Sequence, residues 1–88
     1  MGLFALMRFM RGYRRLIKAI EIEEKQNNHS LDVIKKSYPE LKDNFLSEVG
    51  EIRKDGSELL REGELSDRQM RKMDKVLLHC NRIERELR

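Results

Sequence analysis

From Leu3 to Ile20 the apolar positions fall at Leu3, Leu6, Phe9, Met10, Tyr13, Leu16, Ile17 and Ile20, the three- and four-residue steps of one helix face. The cations on the other side are Arg8, Arg11, Arg14, Arg15 and Lys18, with no acidic residue in the first twenty positions. At about 100° per residue these five occupy roughly one third of the helix circumference. The spacing predicts a basic amphipathic helix over 3–25, ended by the polar run Gln26, Asn27, Asn28, His29. Either asparagine suits the left-handed residue that often closes a helix, and Lys25 sits favourably at the negative end of the helix dipole.

Ser30 then reads as an N-cap, with Asp32 in the first turn that follows. One apolar seam continues through Leu31, Ile34, Tyr38, Leu41, Phe45, Val49, Ile52, Gly56, Leu59 and Gly63, again in steps of three and four, which predicts a second helical element over 31–62. Pro39 interrupts it, because proline lacks an amide hydrogen and crowds the carbonyl four residues back. The expectation is a kink there, or a short helix over 31–37 followed by a restart with Pro39 in the first helical position. Asp55-Gly56 is a turn-type pair, but the seam runs on through it, so continuity is expected. Gly63 ends the element.

Ser66 and Gln69 have the spacing of a capping box, and Met70, Met73, Val76, Leu77, Cys80, Ile83 and Leu87 form the seam of a third helix over 67–86. Leu78 lies roughly opposite that seam, either as an isolated exposed residue or as a second contact surface. Three stripes joined by short connections predict an all-α fold: a small antiparallel helical bundle with a long C-terminal hairpin, in one domain over 1–88.

Composition agrees with this pattern, since the chain is 40% charged and 39% hydrophobic, with one proline and no tryptophan. A chain of 88 residues has little room for a large substrate cavity. The net charge of +3 hides an asymmetry: residues 1–20 hold five basic residues and no acid, leaving 14 basic and 16 acidic for the rest. The basic character belongs to one helix. A lone cysteine, Cys80, allows no internal disulfide, and no apolar run suits a secretory signal or a membrane span, so the expected location is cytoplasmic with a membrane-associated alternative.

No catalytic, nucleotide-binding or metal-binding pattern stands out, and the expected protein is not an enzyme and needs no cofactor. His79 and Cys80 are neighbours and point about 100° apart on a helix, while His29 is in a loop, so no metal site is expected. Cys80 reads as a small buried hydrophobe and His79 as a surface histidine. Met70 and Met73 read as fillers of a bundle core.

The candidate binding element is therefore the first helix. Arg8, Arg11, Arg14, Arg15 and Lys18 suit an anionic surface, and Leu3, Phe4, Leu6, Met7, Phe9 and Met10 supply apolar insertion or packing. Phe4 and Met7 lie off the main stripe, near the polar side, and widen the apolar tip. The expected function is a small interaction or regulatory protein that binds an anionic membrane surface or a partner protein through this helix. Association with nucleic acid through the same cations is the alternative, weakened by the lack of aromatic or amide residues among them. Gly56 and Gly63 in the second seam would let another helix approach closely, which makes a homo-oligomer a further candidate assembly.

Overall fold

In a computed structural model, which describes residues 2–88 and the side chains from Phe4 onward, the chain forms four helices: α1 (Gly2–Gln26), α2 (Leu31–Ser37), α3 (Pro39–Glu62) and α4 (Asp67–Leu87). Of the two outcomes expected at Pro39 the second occurs: residues 31–62 form a short helix and a restart, separated by Tyr38 (φ −131°, ψ 72°). Pro39 opens α3 at its first turn, where its missing N–H costs nothing and its fixed φ suits a helix start. No break occurs at Gly56, which is buried in the middle of α3.

The helix ends follow local chemistry. Asn28 adopts φ 56°, a left-handed conformation that a short polar side chain tolerates. His29 then folds back: its N–H donates to the Glu23 carbonyl at 2.7 Å, its Nδ1 lies 2.9 Å from Glu23 Oε1, and its ring lies tilted against that of Tyr38, the centroids 4.2 Å apart. Ser30 Oγ accepts from Val33 N at 3.3 Å and caps α2. Gly63, at φ 66°, closes α3. At Ser66 both halves of the capping box are present, with Gln69 N donating to Ser66 Oγ at 3.2 Å and Ser66 N to Gln69 Oε1 at 2.9 Å.

The four helices share one core. Phe9, Leu16 and Ile20 of α1 meet Ile34 of α2, Phe45, Val49, Ile52 and Leu59 of α3, and Met73, Val76, Cys80, Ile83 and Leu87 of α4. No charged or polar residue is fully buried among the described residues. The register of α1 against α3 is fixed by Gly12 over Ile52, Phe9 over Gly56, and Arg8 beside Asp55 and Glu58, so numbers rise along one helix as they fall along the other. Between α3 and α4, Arg53 meets Asn81 and Glu84 while Gly56 meets Leu77 and Met73, with the same opposed order.

Both seam glycines have uses within the chain itself. At Gly56 an added Cβ would stand 3.1 Å from Phe9 Cε1, 3.4 Å from Leu77 Cδ2 and 3.5 Å from Met73 Cε, so the close approach serves α1 of the same chain. Gly63 is spent on ending α3.

Candidate binding face of the first helix

The α1 stripe packs on α3 and α4, which sorts the residues of the first helix. Phe9 is fully buried, and Leu6 and Met10 pack against the core as partly buried side chains. These three are packing residues. Phe4 and Met7 instead face solvent, 76% and 48% exposed. The side chain of Leu3 lies outside the described residues.

The five cations also divide. Arg8 sits on the α3 flank, where Nε lies 3.6 Å from Asp55 Oδ1 and Nη2 donates to Glu58 Oε2 at 3.4 Å. Its charge is engaged within the molecule, in an exposed pair of small energetic weight. Arg11, Arg14, Arg15 and Lys18 are all exposed, and among the described residues no carboxylate lies within ion-pair distance of them. Phe4 and Met7 share this outer face, because their positions fall on the same side of a 3.6-residue helix as Arg11, Arg14, Arg15 and Lys18. The outcome is a four-cation patch with an apolar tip at its N-terminal end.

Three polar clusters brace the bundle around that face. Tyr13, in the apolar stripe, reaches across to α4, where its hydroxyl lies 2.7 Å from His79 Nδ1 with the rings edge to face at 5.8 Å. His79 is thus half-buried and bonded, not the surface histidine expected, because a phenol drawn into a core needs a partner and His79 flanks the α4 seam. Burial raises the Tyr13 hydroxyl above its ordinary pKa, so the neutral form that keeps this bridge persists at physiological pH. Arg53 of α3 grips Glu84 of α4 with two donors, Nη1 to Oε2 at 2.9 Å and Nη2 to Oε1 at 2.8 Å, and its Nε donates to Asn81 at 3.2 Å. The hydrogen bonds from Arg53 are the main reason the Glu84 carboxyl is held below the usual carboxylate range. Glu23 anchors the loop after α1, accepting from Asn27 at 3.1 Å and bonding His29.

Cys80 is buried, and burial pushes its thiol up, against a smaller opposing effect of Arg53. Of the α4 methionines, Met73 fills the core and Met70 is exposed. The described residues contain no group of three or more His, Cys, Asp or Glu that could hold a metal ion, and no helix long and apolar enough to cross a membrane.

No protein-family model, curated protein or solved structure matches the chain.

Proposed function

We propose that this chain is a non-enzymatic helical binding module, an antiparallel bundle that docks on an anionic membrane surface through the outer face of α1. One observation carries the reading: Phe4 and Met7 are exposed on the same face as the unpaired Arg11, Arg14, Arg15 and Lys18. A soluble bundle has no need to hold a phenylalanine in water beside four uncompensated cations, whereas an anionic bilayer accepts both, the charges at its headgroups and the apolar tip below them. Because the α1 stripe is committed to the core, the helix does not roll over to bury that stripe in lipid. Docking is then electrostatic with a shallow apolar contact, and weakens as salt rises.

Nucleic acid is the competing ligand for the same cations, and the two differ in what the apolar tip is worth. Cosedimentation with phosphatidylserine-containing vesicles and gel-shift titration on DNA and RNA, run on the same proteins, separate them. Each Lys or Arg near an anionic bilayer contributes about 1 kcal/mol, so Arg11→Gln with Arg14→Gln is expected to weaken vesicle binding about 25-fold. Phe4→Asp with Met7→Asp is expected to weaken it as well, while the helical circular dichroism of each variant stays that of the parent. A protein that shifts nucleic acid, ignores the apolar changes and leaves vesicles unbound refutes the membrane reading.

A further inference from the structure

We propose that the lipid-docking surface is bipartite, and that Arg71, Lys75, Leu78 and Arg82 of α4 form its second half. The inference rests on the membrane reading of α1 and extends it to a helix whose basic character is masked, in the sequence as a whole, by the acidic residues of α3.

Charge divides by helix. α3 carries seven acidic and four basic residues, whereas α4 carries six basic and four acidic, and α1 six basic and three acidic. The near-neutral stretch that follows α1 is therefore an acidic helix and a basic one. Within α4 the buried set is Met73, Val76, Cys80, Ile83 and Leu87. Arg71, Lys75, Leu78 and Arg82 fall on the opposite side at about 100° per residue. All four are exposed, Leu78 at 67%, and among the described residues none of the three cations has a carboxylate within ion-pair distance. Exposure of a large aliphatic side chain inside a ring of free cations repeats the arrangement of Met7 among the α1 arginines.

Position unites the two faces. The Tyr13–His79 bond sets α1 beside α4. Further along, Ile17, Ile20 and Glu21 share a shallow groove with His79, Arg82 and Ile83, so both helices run in the same sense with residue 13 level with residue 79. In that register Met7, Arg14 and Lys18 stand on the α1 side of the seam, and Lys75, Leu78 and Arg82 on the α4 side, at matching heights. The acidic residues bordering this face are Asp74, beside Arg71 and Lys75 on α4, and Glu21, Glu24 and Glu86 toward its C-terminal end. α3 lies behind, away from the face, and its outward residues, the acids Glu40, Asp43 and Glu51 with the cations Lys54 and Arg61, give the molecule a back of mixed charge. A two-helix basic face with apolar residues in its middle is complementary to a flat anionic surface that also accepts apolar side chains, which is a bilayer.

The test uses the full chain and vesicles of phosphatidylcholine with phosphatidylserine, at fixed ionic strength. Lys75→Gln with Arg82→Gln is expected to weaken binding about 25-fold, from about fivefold per cation removed. Leu78→Gln, with no charge change, is expected to weaken it measurably. Lys54→Gln with Arg61→Gln removes the same charge from exposed positions on the back of α3 and is expected to change binding less than twofold. Glutamine is a good helix former and all these sites are exposed, so circular dichroism should not change. If the α4 pair binds like wild type while Arg11→Gln with Arg14→Gln weakens binding, the bipartite surface is wrong and the α1 reading stands. If the α4 and α3 pairs weaken binding equally, net charge and not a face is at work, and the inference fails. If wild-type protein does not bind these vesicles at low salt, the α1 reading itself fails and takes this inference with it.

Discussion

Replacing glycine by alanine at three helical positions tests whether α1 is locked onto α3, the premise that leaves only its outer face for binding. Alanine is favoured over glycine in a helix interior by about 0.5–1 kcal/mol, so the baseline effect is stabilising. Gly50 of α3 is exposed, and an added Cβ meets nothing within 4 Å, so Gly50→Ala should realise that gain in full. At Gly12 the nearest atom to a new Cβ is Ile52 Cγ1 at 3.5 Å, an ordinary van der Waals contact, and Gly12→Ala should behave alike. Gly56 differs. Its Cβ would stand 3.1 Å from the ring of Phe9, which is fully buried and flanked by the core, with Leu77 and Met73 at 3.4 and 3.5 Å. Overpacking a tight core costs about 1–3 kcal/mol, enough to cancel or reverse the propensity gain. Urea unfolding followed by circular dichroism should place Gly56→Ala at least about 1 kcal/mol below Gly50→Ala, a melting difference of about 4–8 °C for a chain of this size. In a Phe9→Leu background the clash is gone, and Gly56→Ala should recover its gain, giving a non-additive cycle. Equal stabilisation at Gly50 and Gly56 in the parent would refute the close packing of α1 on α3.

Three further outcomes follow from single side chains. The Glu84 carboxyl is held low by Arg53, so the folded protein binds its proton less readily than the unfolded chain; this contribution to stability is present above the carboxylate range and is lost as pH falls below about 5. Glu84→Gln should flatten the acid limb of a urea-midpoint against pH plot, and an unchanged limb would contradict the pairing. Cys80, buried with its thiol pKa raised, should react slowly with an alkylating reagent in the native state and quickly in denaturant, and Cys80→Ala should cost about 1 kcal/mol. Glu48 has one carboxylate oxygen, Oε2, buried without a hydrogen-bond partner, so Glu48→Met should leave the urea midpoint unchanged or raise it, and a clear fall would mean the oxygen is satisfied in solution.

What the sequence disclosed and what it hid follow from the range of each interaction. Helix ends depend on side chains within a few residues of the backbone groups they satisfy. Asn28, Ser30, Gly63 and the Ser66-Gln69 pair are therefore readable one at a time. Periodicity likewise names Phe9, Leu16, Val49 and Cys80 as inward-facing without any knowledge of what they face. Pairings across the fold are different. Nothing near Tyr13 points to His79, 66 positions away, although a phenol inside an apolar stripe announces that some polar partner must exist. Arg53 with Glu84, and Arg8 with Asp55 and Glu58, are hidden for the same reason, and with Arg8 the local pattern groups a paired cation with four free ones.

The same distinction decides how α1 can meet a membrane. An isolated amphipathic helix with this sequence would lie in the interface with its stripe in the acyl region and its arginines uppermost. Here Phe9, Leu16 and Ile20 are already covered by α3 and α4, and extracting them would open a core that an 88-residue chain can ill spare. On the membrane proposal the helix approaches the other way up, arginines toward the headgroups, and in that orientation the stripe adds no affinity. Phe4 and Met7 then matter out of proportion to their number, as the apolar side chains of α1 most exposed on the approaching face. Replacing Phe9 should thus lower stability by about 3–5 kcal/mol as Phe9→Ala without a direct effect on vesicle affinity of the fraction still folded, while Phe4→Ala should lower affinity with little change in stability. The opposite assignment, with Phe9 governing affinity and Phe4 neutral, would mean that α1 leaves the bundle to bind.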